Sequence, residues 1–198
     1  MPRLPRVVVS HILHETKWLR MKELRYQDLN KVERSYISVE RTTRPATADV
    51  DAVLVLPLLR RPGHDAQAVL IRQFRPPLDN WAIELPAGLI DEGESVESTV
   101  VREIKEETGL RVTKFLSVGP PIVNDQGITN GSCRFVVVEV EDDSADGSQQ
   151  QLEATETIQV FKTPLSSLRA TLDAKHAKDG DAIDARLYSF ALGQELSL

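Results

Sequence analysis

Cysteine is almost missing from this 198-residue chain: Cys133 is the only one. No disulfide can form within the chain, and the expected setting is a reducing, intracellular one, the cytoplasm first and the nucleus second. Long apolar runs are missing too. None approaches the roughly 18 residues that span a bilayer, so no membrane partner is expected. A surplus of positive charge is also lacking, because 24 Lys and Arg stand against 30 Asp and Glu, a formal net charge of -6. Nucleic acid binding needs a basic face and is therefore not expected. An anionic small molecule needs only a few well-placed arginines and stays open. The opening stretch MPRLPRVVVSHIL carries two arginines, but its apolar core is too short for a secretory signal, and Glu15 argues against a transit peptide. Cys133 lies in the apolar run CRFVVV, which marks it as a core residue rather than a nucleophile.

What the chain does contain is 41% hydrophobic and 27% charged residues, enough for one domain with a small accessory unit. Residues 1–46 read as a small N-terminal antiparallel β unit, with one strand at 17–22, a turn at Asp28, Leu29 and Asn30, and a second strand at 32–39. Strands so few cannot bury a core alone and must pack on the main body or on a second copy. The main body, residues 47–198, opens with apolar strands at 52–59 and 66–74 and a short strand at 81–85. A helix is expected over 95–108, with Ser95 as N-cap and Gly109 just past its end. Further strands are expected at 115–118, 133–140 and 157–161, and helices at 164–178 and 182–192. Helices scattered through a mainly β middle indicate an α/β fold in which a sheet is covered by helices.

The helix at 95–108 carries the chemistry. Val96, Val100 and Ile104 form its core-facing stripe, while Glu103 and Glu107, four apart, stack along the edge of that stripe with Glu106 beside them. A solvated acidic face laced by pairs such as Arg102 with Glu106 should lie opposite the stripe. Carboxylates placed against it are costly unless a cation compensates. Magnesium, an oxygen-seeking ion held by one or two carboxylates plus phosphate oxygens, resolves the conflict. The preceding loop LPAGLIDEGE, residues 85–94, adds Glu94 and backbone carbonyls near the same point.

Gly88, then Glu94, then the run REIKEETGL at 102–110 resembles the Nudix box at every defined position. The resemblance implies the Nudix α/β/α sandwich with a mixed sheet and a loop–helix–loop metal site. It assigns Glu103 and Glu107 as the main ligands, with Glu106 and the Ala87 carbonyl contributing, and Mg2+ as cofactor, for which Mn2+ can substitute. Arg102 matches the residue that orients the glutamates.

Outside the box, SVERTTR at 38–44, RQFRPP at 72–77, IELPAGLID at 83–91 and DARLYS at 184–189 are similar to eukaryotic ADP-ribose pyrophosphatases. That similarity implies hydrolysis of ADP-ribose to AMP and ribose 5-phosphate by a homodimer whose N-terminal unit helps to form the partner's site. Arg41 and Arg75 match positions that contact phosphate or ribose, Glu84 falls in the same substrate-binding segments, and Trp18 matches a residue that stacks on adenine. Tyr36 stands where close relatives carry a second stacking tryptophan, so adenine binding is expected to be looser. For the base that activates water, Glu156 best matches a glutamate in a mobile loop after the box, with Glu153 as the fallback and Glu106 as the rival inside the box. The stretch 141–155 is expected to be that loop. The alternatives are hydrolysis of another nucleoside diphosphate sugar or of an oxidised nucleoside diphosphate, and, less favoured, a non-catalytic nucleotide sensor. The four acids Glu94, Glu103, Glu106 and Glu107 argue against the sensor.

Overall fold

The computed structural model describes residues 4–142 and 149–196. Residues 143–148, which belong to the polar loop expected at 141–155, lie outside the described residues. Two sheets organise the chain. The small one is β1 (Arg6–Glu15), β2 (Leu19–Gln27) and β3 (Glu33–Arg41), antiparallel in sequence order. The strand β1 replaces what the sequence shows only as an apolar leader. Its side chains are nearly all exposed and its register slips twice, so no clean alternation marks it.

The large mixed sheet is built on β4 (Ala52–Leu59) and β5 (Gln67–Arg75), whose side chains are mostly buried on both faces. Next come β6 (Asn80–Glu84), β7 (Ala87–Leu89), β8 (Arg111–Val123), β9 (Ser132–Glu141), β10 (Ile158–Pro164) and β11 (Ala182–Ile183). The main path runs β11-β6-β5-β4-β9-β8, with β10 on β5 and β7 on β4. The β4–β9 and β11–β6 pairs are parallel and the others antiparallel.

Helices cover both faces. Helix α1 (Val96–Thr108) puts Val100 and Ile104 into a cluster with Val53, Val55, Val69, Val136 and Val138. On the other face, α2 (Leu168–Asp179) and α3 (Ala185–Glu195) bury Leu168, Leu172, Leu187 and Ala191 against Leu54, Leu56, Leu70 and Ile83. This is an α/β/α sandwich. Several expected boundaries shift, among them the strand expected at 17–22, which runs Leu19–Gln27, and three others have a visible cause. Pro164 ends β10 and a 3-10 turn precedes α2, so that helix starts at Leu168 rather than 164. Residues 182–183 pair with β6, and α3 starts after Asp184, whose carboxylate accepts from the Arg186 and Leu187 N–H groups. The strand expected at 115–118 extends to 13 residues through two prolines because bulges absorb its irregular register.

Candidate active site

The site is assembled on α1 and the sheet face that α1 covers. The helix is held at its start by a reciprocal cap, in which Ser98 N–H donates to the Ser95 hydroxyl and Ser95 N–H to the Ser98 hydroxyl. Gly109 ends it in the left-handed conformation, φ 71°, where a side chain would be strained. Between these ends the stripe Val96, Val100 and Ile104 fixes the helix rotation, and that rotation carries Glu103 and Glu107 inward. They are 8% and 2% exposed.

Burial in an apolar environment disfavours the charged form of both acids. Desolvation lifts Glu107 to about 9, with the nearby Glu103 charge adding to it and the Ala87 N–H, which donates to its carboxylate at 3.1 Å, opposing it. Desolvation also lifts Glu103 to about 7, against the pull of Arg102. Arg102 is the hub of the outer layer. Its Nη1 donates to Glu103 at 2.6 Å and to Glu106 at 3.1 Å, its Nε to Glu94 at 2.8 Å, and its Nη2 to Glu94 and to the Leu89 carbonyl, both at 2.9 Å. Glu94 is therefore fully engaged. It also accepts from the Thr99 hydroxyl and the Asp91 N–H, and the Arg102 bonds bring it down to about 2. This corrects the expectation that Glu94 adds to the metal point: it ties the loop to the helix instead.

Opposite the helix, β5 and β6 present Arg75 and Glu84, joined by two hydrogen bonds of 2.8 and 2.6 Å. Glu84, expected among the substrate contacts, thus spends both carboxylate oxygens on Arg75. Gln73, two residues before Arg75 and on the same face, is 7% exposed, and its Oε1 has no hydrogen-bond partner among the described residues. The sequence signal for it was the alternation Ile71, Gln73, Arg75, a polar residue recurring on a buried face. Glu156 joins the group from the loop after β9, and its negative charge bears on Glu103, Glu107 and Arg75. Its carboxylate accepts from the Glu153 N–H at 3.0 Å, whereas the Glu153 side chain is exposed. The loop is strapped to the helix end: Gln151 N–H donates to the Glu106 carbonyl at 2.8 Å, and Gln150 Nε2 to the Glu107 carbonyl at 2.6 Å. These two glutamines were not among the expected site residues, since polar loop residues carry no periodicity to mark them.

Trp18, Tyr36 and Arg41 stand apart on the small sheet. No described hydrogen bond, ion pair or ring contact links them to the box. Trp18 is 55% exposed, with the Lys17 ammonium 4.4 Å from its ring centre. The Tyr36 hydroxyl donates to the Gly127 carbonyl at 2.5 Å, and Val39 N–H to the Ile128 carbonyl at 2.9 Å, so the edge of β3 docks on the 124–131 loop. Arg41 is exposed opposite Leu19.

The donor set suits a hard divalent cation. Among the described residues no three acidic, histidine or cysteine side chains are gathered to enclose an ion. Two carboxylates suffice for an ion that keeps water and phosphate oxygens. Glu107 is a buried acid with no ion-pairing partner among the described residues, the kind of group that a cation compensates. A stability consequence follows from the signs. Both acids are raised above the usual 4.5, so between about pH 5 and about pH 9 the folded chain holds protons that the unfolded chain has released. Without metal, the thermal midpoint should fall as pH rises through that window. With saturating Mg2+, which binds the ionised acids, the fall should flatten or reverse. Melting curves in chelator and in Mg2+ at five pH values check both limbs.

Known proteins resemble this chain over most of its length. The chain is 35% identical over 198 residues to ADP-ribose pyrophosphatase of Saccharomyces cerevisiae, covering 97% of this chain and 84% of that protein. It is 32% identical over 188 residues to ADP-sugar pyrophosphatase of Mus musculus, covering 94% and 85%. A crystal structure of an ADP compounds hydrolase shares the fold with a TM-score of 0.67 at 18% identity, covering 98% of this chain and 95% of that one. Nudix hydrolases use divalent metal ions. The NUDIX domain family matches residues 49–186, which include the loop, α1 and the facing strands, and the chain belongs to that family.

Proposed function

We propose that this protein hydrolyses the diphosphate bond of ADP-ribose to AMP and ribose 5-phosphate with Mg2+, for which Mn2+ can substitute. The observation that carries the reading is the buried pair Glu103 and Glu107, facing Arg75 and reached by the charge of Glu156. Two relatives named for ADP-ribose and ADP-sugar, each matched over most of its length, support the substrate class.

Glu103 and Glu107 would hold the ion, assisted by Glu106 and the Ala87 carbonyl. A bound divalent ion would supply charge neutralisation for the diphosphate and Lewis-acid polarisation of the phosphorus under attack. Arg102 fixes Glu103 and Glu106 in place. Glu156 takes a proton from the attacking water as its oxygen bonds to phosphorus. The anhydride P–O bond then breaks, and the bridging oxygen leaves with the other phosphate. Arg75 faces the negative charge that grows during this step. Trp18 and Tyr36 stack on adenine and Arg41 reaches phosphate or ribose. Among the described residues no hydrogen bond, ion pair or ring contact ties any of the three to the box of its own chain, so they are read as serving the site of a partner copy, with residues 1–46 as the exchanging unit and 47–198 as the hydrolase unit. The exposed apolar side chains Val9, Leu19, Met21 and Ile37, on one face of the small sheet, support a homodimer. Solution size should be that of two 22.1 kDa chains, and a monomer would remove this part of the reading.

Product analysis tests the substrate. AMP and ribose 5-phosphate should appear from ADP-ribose with Mg2+ and not with chelator. Faster cleavage of another nucleoside diphosphate sugar, or of an oxidised nucleoside diphosphate, would reassign it. Glu156→Gln should lower kcat about a hundredfold or more with KM within a few-fold. An unchanged kcat would return the base to Glu106.

A further inference from the structure

Arg75 and Glu84 lie on neighbouring strands, and their relative position is set by register. Arg75 pairs with Asn80, Gln73 with Ala82, and Ile71 with Glu84. Residues 71, 73 and 75 share the face on which Val69 packs toward α1, and Glu84 and Ala82 share it from β6. Arg75 is thus offset from Glu84 along the strands and must reach back along the face to meet it. The residue between them on β6 is Ala82, whose methyl group leaves the path open.

The contact is a side-on fork. Arg75 Nε donates to Glu84 Oε1 at 2.8 Å and Nη2 to Glu84 Oε2 at 2.6 Å. A guanidinium has five N–H donors in one rigid plane. The fork uses one on Nε and one on Nη2. Both donors on Nη1 and the outer one on Nη2 have no acceptor among the described residues. Glu84 is 11% exposed at its side chain and Arg75 39%, so the acid is the buried anchor and the arginine the accessible end. The charges of Glu107 and Glu156 both act on Arg75, so its guanidinium lies within electrostatic reach of the box acids.

We propose that Glu84 is a positioning residue: it clamps the Arg75 guanidinium so that the free Nη1 edge faces the substrate diphosphate, and it makes no contact with substrate or metal itself. This rests on the diphosphate-hydrolase reading above. A flexible arginine would have to be ordered by the substrate at each turnover. One held on two bonds by a buried acid is ordered beforehand and loses less freedom on binding.

The test is a double-mutant cycle with ADP-ribose at saturating Mg2+, with unfolding midpoints recorded alongside. Arg75→Ala should lower kcat/KM about a hundredfold, and Glu84→Gln about tenfold or more. The double variant should be no worse than Arg75→Ala alone, because Glu84 acts only through Arg75. Arg75→Lys leaves Glu84 intact and keeps the charge without the fork, so it should lose about as much as Glu84→Gln. Free guanidinium should restore activity to Arg75→Ala and fail to restore it to the double variant. Three results would overturn the proposal: single losses that multiply in the double variant, a tenfold or larger shift of Mg2+ half-saturation in Glu84→Gln, or a lowered midpoint in that variant with kcat/KM unchanged. If the wild-type protein leaves ADP-ribose intact, the hydrolase reading fails by itself. The same cycle read as the Kd of ADP with Mg2+ then decides on the clamp, since non-additive losses support it and additive losses, or no ADP binding, overturn it.

Discussion

Glu107→Gln is expected to abolish turnover, with kcat reduced about a thousandfold or more, while the protein stays folded. The two halves of that expectation have one cause. Glu107 is 2% exposed, and burial holds its carboxyl protonated up to about pH 9 when no cation is present. An amide of the same shape replaces a neutral group with a neutral group, so the metal-free fold should lose nothing and the thermal midpoint in chelator should match or exceed that of wild type near pH 8. The amide cannot replace the charge that a divalent ion needs. The Mg2+-dependent rise in midpoint should therefore disappear together with activity. Turnover within a few-fold of wild type would remove Glu107 from the metal site. Glu106→Gln provides the contrast: its side chain is 35% exposed and bonded to Arg102, so its loss should be smaller and its midpoint nearly unchanged.

That prediction could be made from the sequence because its geometry is local. Val96, Val100, Ile104, Glu103 and Glu107 lie within four turns of one helix, and helical spacing alone puts the acids beside the apolar stripe. The strands β4 and β5 were legible for a similar reason, as apolar runs bounded by turn residues. What escaped depends on pairing between distant segments. Strand β1 has adjacent apolar residues, bulges and little burial, so no period of two marks it. The two residues of β11 form a strand only because β6 accepts them in parallel register. The engagement of Glu94 was hidden because Arg102 reaches it from the second turn of the helix back to the loop, across eight residues. The bonds of Glu84 to Arg75 were hidden because the two side chains, offset along neighbouring strands, share a face only once β5 and β6 are in register. In each case the local pattern gave the residue type correctly, and a contact made elsewhere set its task.

The same logic yields a second large effect at a position with no chemistry of its own. Gly88→Ala is expected to cost little stability and to lower kcat about a hundredfold. Gly88 lies in β7, paired with Val53 of β4, so its backbone is fixed by the sheet and cannot retreat. A Cβ built there would fall 1.7 Å from Glu103 Oε1, 1.9 Å from its carboxyl carbon and 2.5 Å from Oε2, so its three nearest heavy atoms all belong to that carboxylate. What must give way is the far end of a flexible side chain, which is inexpensive in folding terms. That end is also the carboxylate proposed to hold the ion, and Arg102 already fixes it at 2.6 Å, so moving it disturbs both contacts. The expected signature is a near-normal melting midpoint in chelator, a weakened Mg2+ shift, and a kcat only partly restored by raising Mg2+. The second variant Glu103→Asp withdraws the carboxylate by one methylene. Combined with Gly88→Ala it should relieve the clash and should not add a further full loss, because both changes act on the same oxygen atoms. Independent, multiplying losses in that pair would show that the glycine serves the backbone of β7 rather than the space Glu103 occupies.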